Sequence, residues 1–350
     1  MLFSLDIGNK QTKMISDKRE VVFPSYFVEV GEYGNRNVLN VMKNDRPKTS
    51  DYSSTQDADF TYVWGPDMDV DTGRFITDTI SFSGRYDSRP FRLLVDFALA
   101  ELARDYKEAS KGVLVVDVAT GIPTDDYVRP EVAATIAKAF KGDHSVSIDG
   151  EPLNIRVNNL YVVPQPVGTL VNEIADNSGS MQESPLANAN VGIVDVGGGT
   201  LLIDGFRKMD MDDQKRSQLP MGAYVLYEAI QKELIAKGHD ITEYEVERSL
   251  RAGTPIDRFY WTPDAAQTIE ITDVVMRERR KYTRNVVNAI KRTFKGFGRM
   301  NAIIVTGGGA NLLIESDFAE EIKIATFVDN SEMANARGFY KYGLASGGKE

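Results

Sequence analysis

Val191–Thr200 read VGIVDVGGGT: an apolar run, Asp195, one more apolar residue, then three glycines ahead of the apolar Leu201–Ile203. Short continuous apolar runs mark buried strands, and glycines mark the turns that end them. The stretch predicts a β-hairpin with a glycine tip and Asp195 at the end of its first strand. The same pattern opens the chain, where Leu2–Gly8 read LFSLDIG and Thr12–Ile15 form the return run. A second apolar strand and glycine turn follow each hairpin. Val113–Val116 leads to Ala119-Thr120-Gly121, and Ala302–Val305 leads to Thr306-Gly307-Gly308-Gly309. Asp6 lies 115 positions before Gly121, and Asp195 lies 112 before Gly307. Two unrelated turns would rarely agree so well. The pattern predicts an internal duplication: two α/β domains whose matched hairpins are expected to face one cleft.

Helical periodicity fills the intervals. Phe91, Leu94, Val95, Ala98, Leu99 and Leu102 recur at i, i+3, i+4 spacing within Phe91–Tyr106, a core-facing stripe. Pro130–Phe140 opens with proline at a first-turn position, and Gly222–Ala236 and Asp273–Phe294 also read as helices. Glu32–Asp59 is polar and predicts a surface insertion, about residues 32–60, in the first domain; Asp176–Asn190 predicts a second polar loop. The expected domains are 1–164 with 334–350, and 165–333.

Bulk properties narrow the function. The 350 residues suffice for two domains. With no cysteine, disulfides and thiolate metal sites are excluded. The two histidines, His144 and His239, lie in polar surroundings and read as surface residues, which argues against a histidine metal site or a Ser/His/Asp hydrolase. A formal charge of −10 disfavours tracking a phosphate backbone, so any DNA would be reached through another protein. The N-terminus lacks a signal-peptide pattern, and no apolar run approaches the ~18–20 residues of a membrane span. Gly343–Gly348 is expected to be flexible and not amphipathic, so no membrane partner and a cytoplasmic location are expected.

Metal-bound polyphosphate needs backbone amides that approach without a Cβ in the way, and carboxylates for the hydrated cation. Asp6-Ile7-Gly8-Asn9 and Asp195-Val196-Gly197-Gly198-Gly199-Thr200 supply both. Lys13 follows close enough to place an ammonium on a β- or γ-oxygen. One such motif alone is an ordinary turn with a surface aspartate; two copies with matched spacing favour a phosphate site. The Thr306-Gly307-Gly308-Gly309-Ala310-Asn311 turn suits close approach of a base or α-phosphate to the backbone. It fits neither the dinucleotide fingerprint nor the P-loop.

The order of these parts resembles the actin-like ATPase superfamily, with its duplicated ribonuclease H-like fold: phosphate hairpin, connecting helix, second phosphate hairpin, adenosine turn, second connecting helix. Within it the chain is similar to the ParM-like bacterial actins. LDIGN, Gly65–Asp69, Gly84-Arg85-Tyr86-Asp87, ATGIP, VVPQPVGTL, IVDVGGGT, VTGGGANLL and Asn335-Ala336-Arg337-Gly338 carry that resemblance. It implies that Asp6 and Asp195 hold Mg²⁺ through water. It implies that Gly8, Asn9, Gly197, Gly198, Gly199 and Thr200 cradle phosphates, and that Gln165 orients the attacking water, as glutamine does in other phosphoryl transfers. Gly307, Gly308, Gly309 and Asn311 would border adenosine, Gly222 would open the helix lining base and ribose, and Glu228 would reach the ribose. ParM proteins vary at the base pocket, which leaves ATP or GTP as the cofactor.

The implied function is an actin-like ATPase that polymerises on ATP binding into dynamic head-to-tail filaments of itself. It would segregate plasmid DNA indirectly, through a ParR-like adaptor on centromere DNA. The alternatives are a small-molecule kinase, disfavoured by Gln165 and the chain's length, and a chaperone-type ATPase, whose further substrate domain is not seen. The basic run Arg277–Lys281 is expected to be a solvated helix face.

Overall fold

Strand pairing runs the same way twice along the chain. The computed structural model describes residues 1–33, 48–68, 76–79, 84–253, 257–264 and 266–347. These divide into two compact units, Met1–Gln182 with Met333–Glu350, and Glu183–Glu332.

The first unit holds β1 (Leu2–Ile7), β2 (Gln11–Ile15), β3 (Glu20–Pro24), β4 (Tyr26–Glu29), β5 (Ser50–Ser54), β6 (Tyr62–Trp64) and β7 (Ile76–Asp78). Then come α1 (Arg89–Ala103), α2 (Lys107–Lys111), β8 (Leu114–Ile122), α3 (Thr124–Tyr127), α4 (Pro130–Phe140), β9 (Gly142–Ile148), β10 (Glu151–Pro164) and α5 (Gln165–Ile174). The described strands form one sheet in the order β3-β2-β1-β8-β10-β9-β5-β6-β4-β7. The α1 helix forms because Ser88 caps it, its Oγ accepting from the Phe91 amide, with proline in the first turn, and its apolar stripe is buried. From α1, Phe97 packs edge-on or tilted against Phe27, Tyr52 and Trp64 in the core.

The second unit holds β11 (Asn190–Val196), β12 (Leu201–Arg207), β13 (Asp210–Leu219), α6 (Ala223–Ala236), α7 (Glu243–Arg251), β14 (Tyr260–Asp264) and β15 (Gln267–Glu270). It continues with α8 (Thr272–Phe294), β16 (Ala302–Thr306), α9 (Glu315–Glu321) and β17 (Ala325–Phe327). Its main sheet runs β13-β12-β11-β16-β17. In both units, then, an antiparallel meander is followed by parallel strands added beside its first strand. This is the topology that the duplicated sequence pattern predicts.

The last helix, α10 (Ala334–Gly347), returns to the first unit. It crosses α5 so closely that a Cβ on Gly338 would collide with the Gly168 carbonyl. Phe339 is fully buried, and its ring fills the space that side chains on Gly121 and Gly168 would need.

The structure differs from the sequence reading in four places. Residues 343–347 are helix rather than flexible tail, because their small side chains serve packing: a Cβ on Gly343 would lie 2.8 Å from Leu2 Cδ2. Of the polar stretch Glu32–Asp59, residues 34–47 lie outside the described residues, and Ser50–Ser54 is a sheet strand rather than loop. Its polar side chains find partners there; Ser54 bonds Asp96, and Tyr52 is wholly buried. His144 is buried rather than surface-exposed, its Nδ1 2.6 Å from Asp96 Oδ1 and its Nε2 2.7 Å from the Phe140 carbonyl. Finally, the run Arg277–Lys281 is solvated only in part, since Glu278 and Arg279 are buried. Arg279 donates to the carbonyls of Leu312 (2.9 Å) and Leu313 (3.2 Å).

Candidate functional site

The two hairpins are built to one plan. In the first, β1 pairs β2 with Asp6 opposite Lys13 and Ile7 opposite Thr12, and the Gly8 amide closes the tip onto the Gln11 carbonyl at 2.9 Å. In the second, β11 pairs β12 with Asp195 opposite Leu202 and Val196 opposite Leu201, and the Gly197 amide closes onto the Thr200 carbonyl at 2.8 Å. The tips are thus equivalent four-residue turns, Gly8-Asn9-Lys10-Gln11 and Gly197-Gly198-Gly199-Thr200. The tip side chains differ, and opposite the aspartate the first hairpin carries the ammonium of Lys13 where the second carries the apolar Leu202.

Both aspartates are buried at the ends of their strands. Lys13 Nζ lies 3.2 Å from Asp6 Oδ2, while Asp6 Oδ1 is buried without a protein partner. A buried, unsatisfied carboxylate oxygen is costly. It fits a position completed by a hydrated cation, which suits the magnesium that the resemblance implies. Among the described residues no cluster of three or more His, Cys, Asp or Glu could ligate a metal. A cation here would rest on Asp6 or Asp195, water and phosphate oxygens.

In the second unit the remaining candidates converge on Asp195. Gly307 has φ of 88°, a conformation that glycine adopts readily. A side chain on it would also collide with Asp195 Oδ1. A Cβ on Gly309 would lie 2.7 Å from Val196 Cγ1, and the Gly309 amide donates to the Val196 carbonyl at 2.8 Å. Ser331 braces the turn, its Oγ donating to the Gly307 carbonyl at 3.0 Å and its own carbonyl accepting from the Gly307 amide at 3.2 Å. Gly222 brings the start of α6 onto the hairpin tip, where a Cβ would collide with the Gly198 carbonyl. There the amides of Ala223 and Tyr224 donate to the Gly197 and Gly198 carbonyls, each at 3.0 Å, and the Gly222 amide donates to the Gly199 carbonyl at 3.3 Å.

Three other predicted residues are placed less tightly. Gln165 is the half-buried first residue of α5, directly after Pro164. Asn311 lies exposed in the short 3-10 turn Ala310–Leu312 that follows the glycines. Glu228 is exposed on α6, its carboxylate held by Lys232 at 2.6 Å on the same helix.

Two charged residues near these turns went unassigned in the sequence reading. Arg279 fastens the segment after the glycine turn, as described above, and its signal was masked by the surrounding run of charge. Arg85 donates from Nη2 to the carbonyls of Ile7 and Gly8, both at 2.8 Å. Burial pulls its guanidinium below the ordinary value, against the opposing charges of Tyr86 and Asp6. Only its place in the Gly84–Asp87 segment pointed to it.

Similarity to known proteins follows the same lines. Residues 4–168 match the family model of the N-terminal domain of actin-like proteins, and residues 193–319 match that of the archaeal actin homologue MreB-like C-terminal domain. Together the two matches take in most of the chain. Among solved structures, the apo ParM protein of pSK41 is 24% identical with a TM-score of 0.75, covering 99% of this chain and 98% of its own. The archaeal actin homologue Ta0583 is 18% identical with a TM-score of 0.76, covering 98% and 99%. The actin-like protein Alp7A is 15% identical with a TM-score of 0.78, covering 99% and 97%. No curated protein sequence matches the chain.

Proposed function

The chain belongs to the actin-like proteins, and from that premise we propose that it is a nucleotide-dependent, self-assembling ATPase. The observation that carries the proposal is the pair of equivalent hairpins, each ending in a buried aspartate and a glycine tip. We take Asp6 and Asp195 to serve the same magnesium-bound triphosphate. Magnesium would neutralise charge on the β- and γ-phosphates. The tip amides of Gly8, Asn9 and Gly197–Thr200 would donate to phosphate oxygens, and Lys13 would shift its ammonium from Asp6 towards them. Gln165, a poor base, would orient the attacking water. Gly222, Gly307–Gly309 and Asn311 would border the nucleoside, with Glu228 reaching the ribose once released from Lys232. ATP is the favoured nucleotide, and GTP is the competitor to compare.

Solved relatives include an archaeal actin homologue in complex with ADP, a Bacillus thuringiensis ParM with ATP, and the Alp12 filament. By analogy, nucleotide binding here would drive head-to-tail stacking of identical subunits, a heterologous contact that yields an open filament. Hydrolysis would then destabilise the filament. Plasmid segregation through a ParR-like, DNA-binding adaptor is the cellular role that this reading favours, with DNA reached only through the adaptor. No helix among the described residues is long and apolar enough to cross a membrane. Light scattering and electron microscopy on adding Mg-ATP test the proposal. Scattering that rises with ATP and decays as phosphate is released supports it; protein that stays monomeric with either nucleotide, across salt concentrations, sinks it.

A further inference from the structure

The two hairpin tips must solve one problem, and they solve it differently. The strand-end and tip carbonyls of each hairpin need donors. In the second hairpin the Val196 carbonyl accepts from the Gly309 amide and the Gly197 carbonyl from the Ala223 amide, so a glycine turn and a helix start provide them. Strand register makes Ile7 and Gly8 the equivalents of Val196 and Gly197. Those two carbonyls both accept from Arg85 Nη2. One guanidinium therefore does in the first unit what two backbone elements do in the second.

We propose that Arg85 is the positioning residue of the first phosphate hairpin, fixing its tip so that the backbone amides present themselves to the nucleotide. The inference rests on the nucleotide-binding reading above. Its physical basis is the planar trans peptide, in which C=O and N–H point opposite ways. Holding the Gly8 carbonyl on the Arg85 side turns the Asn9 amide to the other side. Arg85 is itself held: its Nε donates to the Thr79 carbonyl at 3.1 Å and its Nη2 to Thr79 Oγ1 at 3.2 Å. Its guanidinium lies over the Phe91 ring at 5.6 Å, and its own carbonyl accepts from Ser88 Oγ at 2.7 Å. Lysine could not reproduce this arrangement, because an ammonium cannot hold the two carbonyls while also making the Nε bond to Thr79 and lying flat over Phe91.

The test uses full-length protein, a fluorescent ATP analogue and steady-state phosphate release. Arg85→Ala is expected to weaken nucleotide binding and raise KM for ATP by roughly tenfold or more, the scale seen when a partner that orients a metal ligand is lost. The kcat should change less. Added methylguanidinium should restore much of the affinity of Arg85→Ala, a response that a general loss of folding would not give. Arg85→Lys keeps the charge and stem, and should remain impaired. The inference is overturned if Arg85→Lys, or Arg85→Ala with an unchanged circular dichroism spectrum, binds as wild type. It is equally overturned if methylguanidinium restores nothing. Wild-type protein that binds no nucleotide overturns the nucleotide-binding reading as well, which separates the two failures.

Discussion

Gly307 shows how much one missing side chain can carry. Its backbone is left-handed and its hydrogen faces Asp195, so Gly307→Ala meets strain and collision together. Each such fault costs on the order of 1–3 kcal/mol. We expect the variant to stay folded but to lose nucleotide affinity, measured by titration of a fluorescent ATP analogue; wild-type affinity would refute this. His144 predicts a pH effect. Burial alone would lower its pKa, but the hydrogen bond and charge of Asp96, with the Phe140 carbonyl, outweigh burial and raise it. A raised folded-state value means that the native state holds the proton more tightly than the unfolded chain. The stabilisation is therefore complete below about 6.5, the ordinary histidine value, and is lost as pH rises through the folded-state pKa. Urea midpoints should fall over that interval in wild type, and the difference from His144→Asn should shrink; a pH-independent difference would count against it. That the aspartates end strands and the glycines form turns was legible in the sequence, because strand-end chemistry is local. His144 was not, since its partner Asp96 comes from a different element and nothing in the flanking residues announces it.

Among elements, the crossing of α5 and α10 is the contact most sensitive to volume. Phe339 fills the space left by Gly121 and Gly168, and truncating a buried phenylalanine costs about 3–5 kcal/mol. Phe339→Ala should lower the thermal midpoint by several degrees in calorimetry, and an unchanged midpoint would contradict this packing. The helices α1, α4, α6 and α8 were readable from apolar period and from proline placement. The hairpins and the strands beside them were readable from their repeated spacing. The strand β5 escaped notice because its inward residues include serines satisfied by a distant aspartate, which in sequence look like loop. The last turns of α10, from Gly343, were read as a flexible end because glycine, alanine and serine carry little apolar signal, although Gly343 packs closely on Leu2.

At the scale of the molecule, the duplication makes a prediction that neither half makes alone. If Asp6 and Asp195 serve one bound nucleotide, Asp6→Asn and Asp195→Asn should each weaken Mg-ATP binding at least about tenfold. The double variant should lose less than the product, because groups acting on a shared ligand are coupled. Two binding steps, each weakened by only one of the substitutions, would indicate two independent sites. The order of the chain carries a last consequence. The second unit is one uninterrupted segment, whereas the first waits for α10, which follows it in sequence. The interior segment can complete its hydrophobic core from its own residues, whereas the leading half depends on the distant helix that seals β1 and β8. A chain cut short before Ala334 should therefore keep the interior unit protected and leave the leading half open to protease, as limited proteolysis would show.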